Sequence, residues 1–367
     1  MKVCLVVYKY TSSLDDPTAY PLGFMYIASV LKNAGMEVKL LNYNLWEYDF
    51  KEEIKDQDVV MFTGFEMFKD SIIRDSLVCR ELGVRTILGG ALATFCFDDM
   101  LPFVDTVVIG EGEDVVIESI TYKGSILIGN KPNLASLPYP DYDGIQIREY
   151  MKRTGSSHIG ILTSRGCPFS CTFCAQTCAY QERSIDSVFT EIDYYVSKYG
   201  VDTIIFNDNT LNVKRSRFLS ICKKMQDRML LWSGAIRCDV FDEEMASAAK
   251  KSGCSTLVAG VESFNQDKLN RMNKGIKVQD IYKTLDLLNK YKIGYYSNIM
   301  LGFDDETYSD IAKEVCSIPS EYNVFPCLVQ PFIGTKDGKT RLLSKEETDF
   351  LGTTFNDYVL ERGYRLV

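Results

Sequence analysis

Histidine is almost missing from this chain of 367 residues: His158 stands alone. A single imidazole all but excludes Ser-His or Cys-His nucleophilic catalysis, and it excludes metal sites built on several histidines. No apolar run reaches the length that crosses a bilayer, and no tract is of low complexity. The opening Met1-Lys2-Val3-Cys4-Leu5-Val6-Val7-Tyr8 reads as a strand rather than a signal peptide. Basic residues are outnumbered, 41 Lys and Arg against 50 Asp and Glu, for a formal charge of −9. That balance argues against a broad nonspecific nucleic-acid surface, although a local basic groove stays open. Neither a membrane nor nucleic acid is expected as a partner. What the chain does have is 46% apolar residues, 25% charged residues and twelve cysteines. Without an export signal, that many thiols point to a reducing cytoplasm.

Apolar periodicity divides the chain in two. In the first part, short strands fit Lys2–Val7, Glu37–Leu41, Asp58–Phe62, Arg85–Leu88 and Thr106–Ile109, with helices at Leu22–Asn33 and Asp70–Leu82. Strand and helix in alternation predict parallel strands with crossover helices, a doubly wound Rossmann-like sheet over 1–130. Ligands on such sheets sit beyond the carboxyl ends of the strands. There the sequence places Gly64, Gly89-Gly90 and Gly110-Glu111-Gly112-Glu113, where backbone can approach a flat ligand. Plain turn chemistry is the competing account of these glycines. Residues 131–156, with three prolines between Pro132 and Pro140, read as a linker. From Ser157 the alternation resumes, with strands expected at His158–Leu162, Thr203–Phe206, Leu231–Ile236, Thr256–Ala259, Tyr295–Leu301 and Val324–Leu328. Helical runs between them give six βα units over 157–335, a partial barrel of the α/β class. Residues 336–367 read as a short C-terminal extension.

The chemistry is concentrated in Gly166-Cys167-Pro168-Phe169-Ser170-Cys171-Thr172-Phe173-Cys174, a C-x3-C-x2-C run that follows the first strand of the second part. Three thiolates on one tight loop can each hold one iron of a cubane cluster and leave the fourth iron open to a substrate or cofactor. A disulfide is disfavoured, because close cysteines on one loop rarely meet the required geometry. Zinc is the stronger rival, and Cys178 could supply its fourth ligand.

The spacing, with an aromatic before the third cysteine, resembles that of the radical S-adenosylmethionine (SAM) enzymes, over roughly 157–335. The resemblance implies a [4Fe-4S] cluster on Cys167, Cys171 and Cys174, with Phe173 beside the adenine of SAM. It implies further SAM contacts from Asp208 or Asn209 in Phe206-Asn207-Asp208-Asn209-Thr210, from Arg237, and from Glu262 and Ser263 in Gly260-Val261-Glu262-Ser263. Gly302, in the turn after the fifth strand, packs near adenine on this reading, and Pro331-Phe332-Ile333-Gly334-Thr335 shapes the substrate pocket. Ordinary readings compete at these stations: a capping turn for Asp208, a salt bridge to Asp239 for Arg237, a structural hydrogen bond for Glu262.

The first part resembles the cobalamin-binding-like domain fused to one branch of these enzymes. The stations that match are Tyr20-Pro21-Leu22-Gly23, Gly89-Gly90, Gly110-Glu111-Gly112-Glu113 and Pro138-Tyr139-Pro140-Asp141. The Asp-x-His-x-x-Gly element that gives cobalt a histidine is absent. The resemblance implies reductive cleavage of SAM to a 5′-deoxyadenosyl radical, and cobalamin-dependent methylation, or cyclisation, at an unactivated carbon of a small-molecule or peptide substrate. It also implies a one-electron donor such as flavodoxin or ferredoxin. The alternatives are a cobalamin-independent radical SAM enzyme and a non-catalytic iron–sulfur regulator.

Overall fold

The computed structural model describes residues 1–9, 20–175, 178–303, 305–328 and 335. The chain forms two compact units, one of 1–167 with 176–207, the other of 168–175 with the chain from Asp208 onward. The last strand-exit stretch named above, Thr335 apart, and the extension 336–367 lie outside the described residues.

In the first unit, β1 (Lys2–Val7), β2 (Glu37–Asn42), β3 (Val59–Thr63), β4 (Arg85–Gly89), β5 (Thr106–Ile109) and β6 (Ile126–Ile128) form one sheet in the order β2-β1-β3-β4-β5-β6. Every pairing is parallel. The strands are near-continuous apolar runs because helices cover both faces, and Val3 to Val6 are wholly buried. The strand order reverses between β1 and β3, which opens a crevice at their carboxyl ends. Helix Leu22–Asn33 buries Leu22, Phe24, Met25, Tyr26, Ala28 and Leu31 against the unit. Strand β6 was not expected.

The segment read as a linker, 131–156, is not a loose tether. It carries helix Ile147–Thr154, and Tyr142, Ile145, Ile147 and Tyr150 are all buried. The Tyr142 hydroxyl accepts from the Gly160 amide at 2.9 Å and donates to the Gly160 carbonyl at 2.5 Å. Buried aromatics, which the prolines concealed, make this segment part of the packed unit.

All six strands expected of the second part form. In the first unit β7 (His158–Ile161) pairs in parallel with β10 (Thr203–Phe206). Between them β8 (Ser164–Arg165) and β9 (Gln181–Glu182) make a two-residue antiparallel stem around the cysteine loop. In the second unit β11 (Leu231–Arg237), β12 (Cys254–Gly260), β13 (Gly294–Leu301) and β14 (Val324–Leu328) run parallel, with helices between them. Helix Glu243–Lys251 starts where Asp242 accepts from the Met245 amide, and Thr307 and Asp310 form a reciprocal capping box on helix Tyr308–Cys316. Among the described residues no helix is long and apolar enough to cross a membrane.

Candidate cofactor-binding site

In the first unit all the glycines singled out by sequence except Gly64 meet around one cavity. It has a volume of about 290 Å³ and lies at the carboxyl ends of β3, β4 and β5, lined by Gly89, Gly90, Gly110, Glu111 and Gly112. Gly90 has φ +80°, and a Cβ there would stand 2.3 Å from the Thr63 Oγ1. Gly129 is not in this lining, yet a Cβ on it would fall 1.8 Å from the Glu111 carbonyl oxygen. Gly129 therefore sets how the Gly110–Gly112 turn is seated. A second cavity, about 310 Å³, opens at the β1/β3 switch point between Tyr8, Tyr20, Asn44, Gly64, Phe65 and Phe68. Each is at the small end of the range for ligand pockets, roughly 300–1,000 Å³. A lining of bare glycine backbone and apolar side chains suits part of a broad, flat macrocycle, so the residues present fit cobalamin. His158 is occupied otherwise: its Nε2 is 3.1 Å from the Tyr20 hydroxyl and its Nδ1 2.7 Å from Ser156 Oγ. Burial holds its pKa below the usual value, and Asp202 opposes this.

Sequence reasoning missed Arg165. Its guanidinium is shared between Glu111 and Glu113, each at 2.7 Å, and all three side chains are at most 15% exposed. Burial works against the charge of Arg165, but Glu113 and Glu111 together carry its pKa above the ordinary value. The acidic turn that lines the cavity is thus tied to the stem residue two positions before Cys167. The only sequence signal was charge matching between distant segments.

The cysteine loop has no disulfide, and Cys167 and Cys171 are partly buried while Cys174 is exposed. Among the described residues no three His, Cys, Asp or Glu side chains converge to hold a single ion. A cubane binds each thiolate to a different iron, so three thiols on one loop fit it.

In the second unit, residues 272–274 clamp this loop. The Thr172 amide donates to the Met272 carbonyl at 2.9 Å, and Asn273 Nδ2 donates to the Ser170 carbonyl at 2.9 Å and to its Oγ at 2.8 Å. Lys274 Nζ stands 5.7 Å from the centre of the Phe173 ring and 2.7 Å from Glu262 Oε1. Lys274 was also missed by sequence. Glu262 adopts φ +64°, an uncommon conformation for a residue with a side chain, while its backbone bonds to Asn298 and Met300 beside β13. Burial pushes the Cys171 thiol up, and Lys274 and Arg237 pull it back toward the thiolate.

Arg237 is buried and holds Asp239 with two bonds, at 3.0 and 3.1 Å. It also donates to the Lys274 carbonyl at 2.7 Å and lies 3.7 Å over the Phe169 ring. The salt bridge that competed with a SAM role is therefore formed. The turn after β10 reaches the same residue through Asn212, whose side chain pairs with both the amide and the carbonyl of Arg237 at 2.9 Å. In that turn Asp208 is buried and Asn209 exposed.

Ser263 and Gly302 both hydrogen-bond to an ion cluster around Lys268. The Ser263 hydroxyl is fully buried, bonds Glu314, and accepts from the Asn265 amide at 2.9 Å. The Gly302 amide donates to Glu306 at 2.7 Å, and Lys268 binds Glu306 and Glu314 at 2.5 and 2.6 Å. The Ser263 hydroxyl is thus engaged by this ion cluster.

These features define a radical SAM protein with a corrinoid-type first domain, and comparison agrees. Residues 161–315 match the Radical SAM superfamily and 16–119 the B12 binding domain; the chain belongs to the branch that joins the two. An uncharacterized methyltransferase of Pyrococcus horikoshii is 27% identical, over 92% of this chain and 82% of its own length. The bacteriochlorophyllide d C-12(1)-methyltransferase of Chlorobaculum tepidum is also 27% identical, over 89% of this chain and 75% of its own. The fold is shared with the radical SAM methyltransferase TsrM of Kitasatospora setae, solved with cobalamin and a [4Fe-4S] cluster bound. The TM-score is 0.74 at 17% identity, over 92% of this chain and 74% of that one.

Proposed function

We infer that the protein is a cobalamin-dependent radical SAM enzyme that methylates an unactivated carbon. The observation that carries this reading is the joining, in one chain, of a clamped three-cysteine loop and a glycine-lined cavity whose glycines lie in the span matched by the B12 binding domain. When bound, the cluster and SAM supply a 5′-deoxyadenosyl radical that removes hydrogen from carbon, and cobalamin supplies the methyl group. Cys167, Cys171 and Cys174 would hold three irons. Lys274 and Arg237 favour the thiolate at Cys171, and the 272–274 clamp fixes the loop from one side.

Glu262, held by Lys274 in its left-handed conformation, is assigned to SAM, with Phe173 beside the adenine and Asp208 or Asn209 toward the methionyl end. Arg237 is assigned to positioning, because Asp239 already occupies its fork. Gly89, Gly90, Gly110, Glu111 and Gly112 would seat the corrin. The acceptor is a small molecule or peptide, and the electron donor a flavodoxin or ferredoxin. A cytoplasmic location belongs to this reading, and the many cysteines of the chain support it. Anaerobic reconstitution with iron, sulfide and cobalamin tests the reading. One equivalent of corrin absorption, with deoxyadenosine released on adding SAM and reductant, is the expected result. Deoxyadenosine without bound corrin would return the cobalamin-independent alternative.

A further inference from the structure

We propose that Arg165 is a positioning residue through which filling of the glycine-lined cavity sets the cysteine loop for SAM. The proposal rests on the cobalamin reading above and goes beyond it, because it concerns communication between the two cofactors. Three observations carry it. Arg165 and Glu111 both line the cavity, so a ligand seated there meets the ion pair itself. The guanidinium is divided between two carboxylates at 2.7 Å each. A fork so divided has a ready second arrangement, bidentate on one carboxylate. Finally, Arg165 pairs with Gln181 across the stem that closes the loop, two residues from the first cysteine.

A link between sites needs a contiguous physical connection with two discrete arrangements. The cavity turn, the shared fork and the stem lie in one compact unit, and from Cys167 the chain itself continues into the loop. The triad carries one more negative than positive charge in a largely buried setting, so contact with the cavity's occupant bears directly on how the fork is divided. The cation also lies 5.5 Å over the Tyr26 ring, on the helix that forms another wall, and this steadies it from a third side.

The test uses the full chain, anaerobically reconstituted with its cluster and left unreduced. SAM affinity is measured by calorimetry with and without bound hydroxocobalamin. In the unaltered chain cobalamin should tighten SAM at least about fivefold, the low end of the range for linked sites. Arg165→Lys keeps the charge but not the fork. It should keep the iron content and corrin absorption while the ratio of the two affinities falls to about one. Glu113→Gln, which removes one arm, should lower the ratio too, and it stands in if the lysine variant does not fold. An unchanged ratio in a variant that holds both cofactors overturns the proposal, as does a ratio of one in the unaltered chain. Absence of corrin absorption in the unaltered chain would instead count against the cobalamin reading.

Discussion

Around the cavity of the first unit the chain takes side chains away; around the cysteine loop in the second it crowds charged ones in. Gly89, Gly90, Gly110 and Gly112 leave bare backbone at strand ends. The loop carrying Cys171 is met by Arg237, Asp239, Lys274 and Glu262, all paired. The difference follows from what each site has to hold. A broad ring is held by contact area, for which side chains are obstacles. Thiolates and a charged nucleotide are held by fixed dipoles and counter-charges, which are worth more away from water.

If the two sites are independent in construction, each can be broken alone. Cys171→Ala should have the largest effect: deoxyadenosine formation should fall to background and the iron–sulfur absorption of the intact cubane should vanish, while corrin still binds. Unchanged deoxyadenosine production would remove the cluster assignment. Lys274→Met takes the partner from Glu262 and a cation from Cys171. A rise in the SAM KM of about tenfold, equivalent to about 1.4 kcal/mol, is expected, with iron content retained. Steady-state kinetics of deoxyadenosine release reads it, and an unaltered KM would separate Glu262 from SAM binding.

Gly90→Ala is the mirror experiment. Its positive φ and the approach to Thr63 make any side chain strained, at a cost of about 1–3 kcal/mol. Corrin affinity should drop while SAM cleavage at saturating SAM continues without methyl transfer; titration of corrin absorption decides it. If SAM cleavage falls in parallel, the sites are not separable in this way.

The smallest effect concerns His158. Burial depresses its pKa in the folded chain from 6.5. Below that value the unfolded chain therefore binds the extra proton more readily than the folded one. Stability should be fully present above about pH 6.5 and decline as pH falls toward the folded value. Urea midpoints across that window should show the slope, and His158→Gln should flatten it.

Much of the fold could be read from apolar period alone. Helix Leu22–Asn33 and strands Thr106–Ile109 and Thr203–Phe206 fall where the pattern puts them. Strand β6 escaped because three residues are too short a run to display a period. Helix Ile147–Thr154 escaped because the prolines before it suggested a tether. At the sites, glycines and cysteines announced themselves through residue type. Arg165 and Lys274 did not, since a lysine or arginine has no recognisable partner until the chain has folded; Arg165 finds Glu111 across 54 residues. Ser263 shows the same limit: sequence names a hydroxyl but not its partner, here Glu314.

Gly129 carries a lesson for anyone scanning variants of this protein. It touches no ligand and sits at the end of a three-residue strand, a place where tolerance would be assumed. With the Glu111 backbone standing where a Cβ would be, every replacement must displace the turn that lines the cavity. A saturation screen should therefore find position 129 as intolerant as the lining glycines, and the lesion would look like a cofactor defect in a protein whose contact residues are all intact.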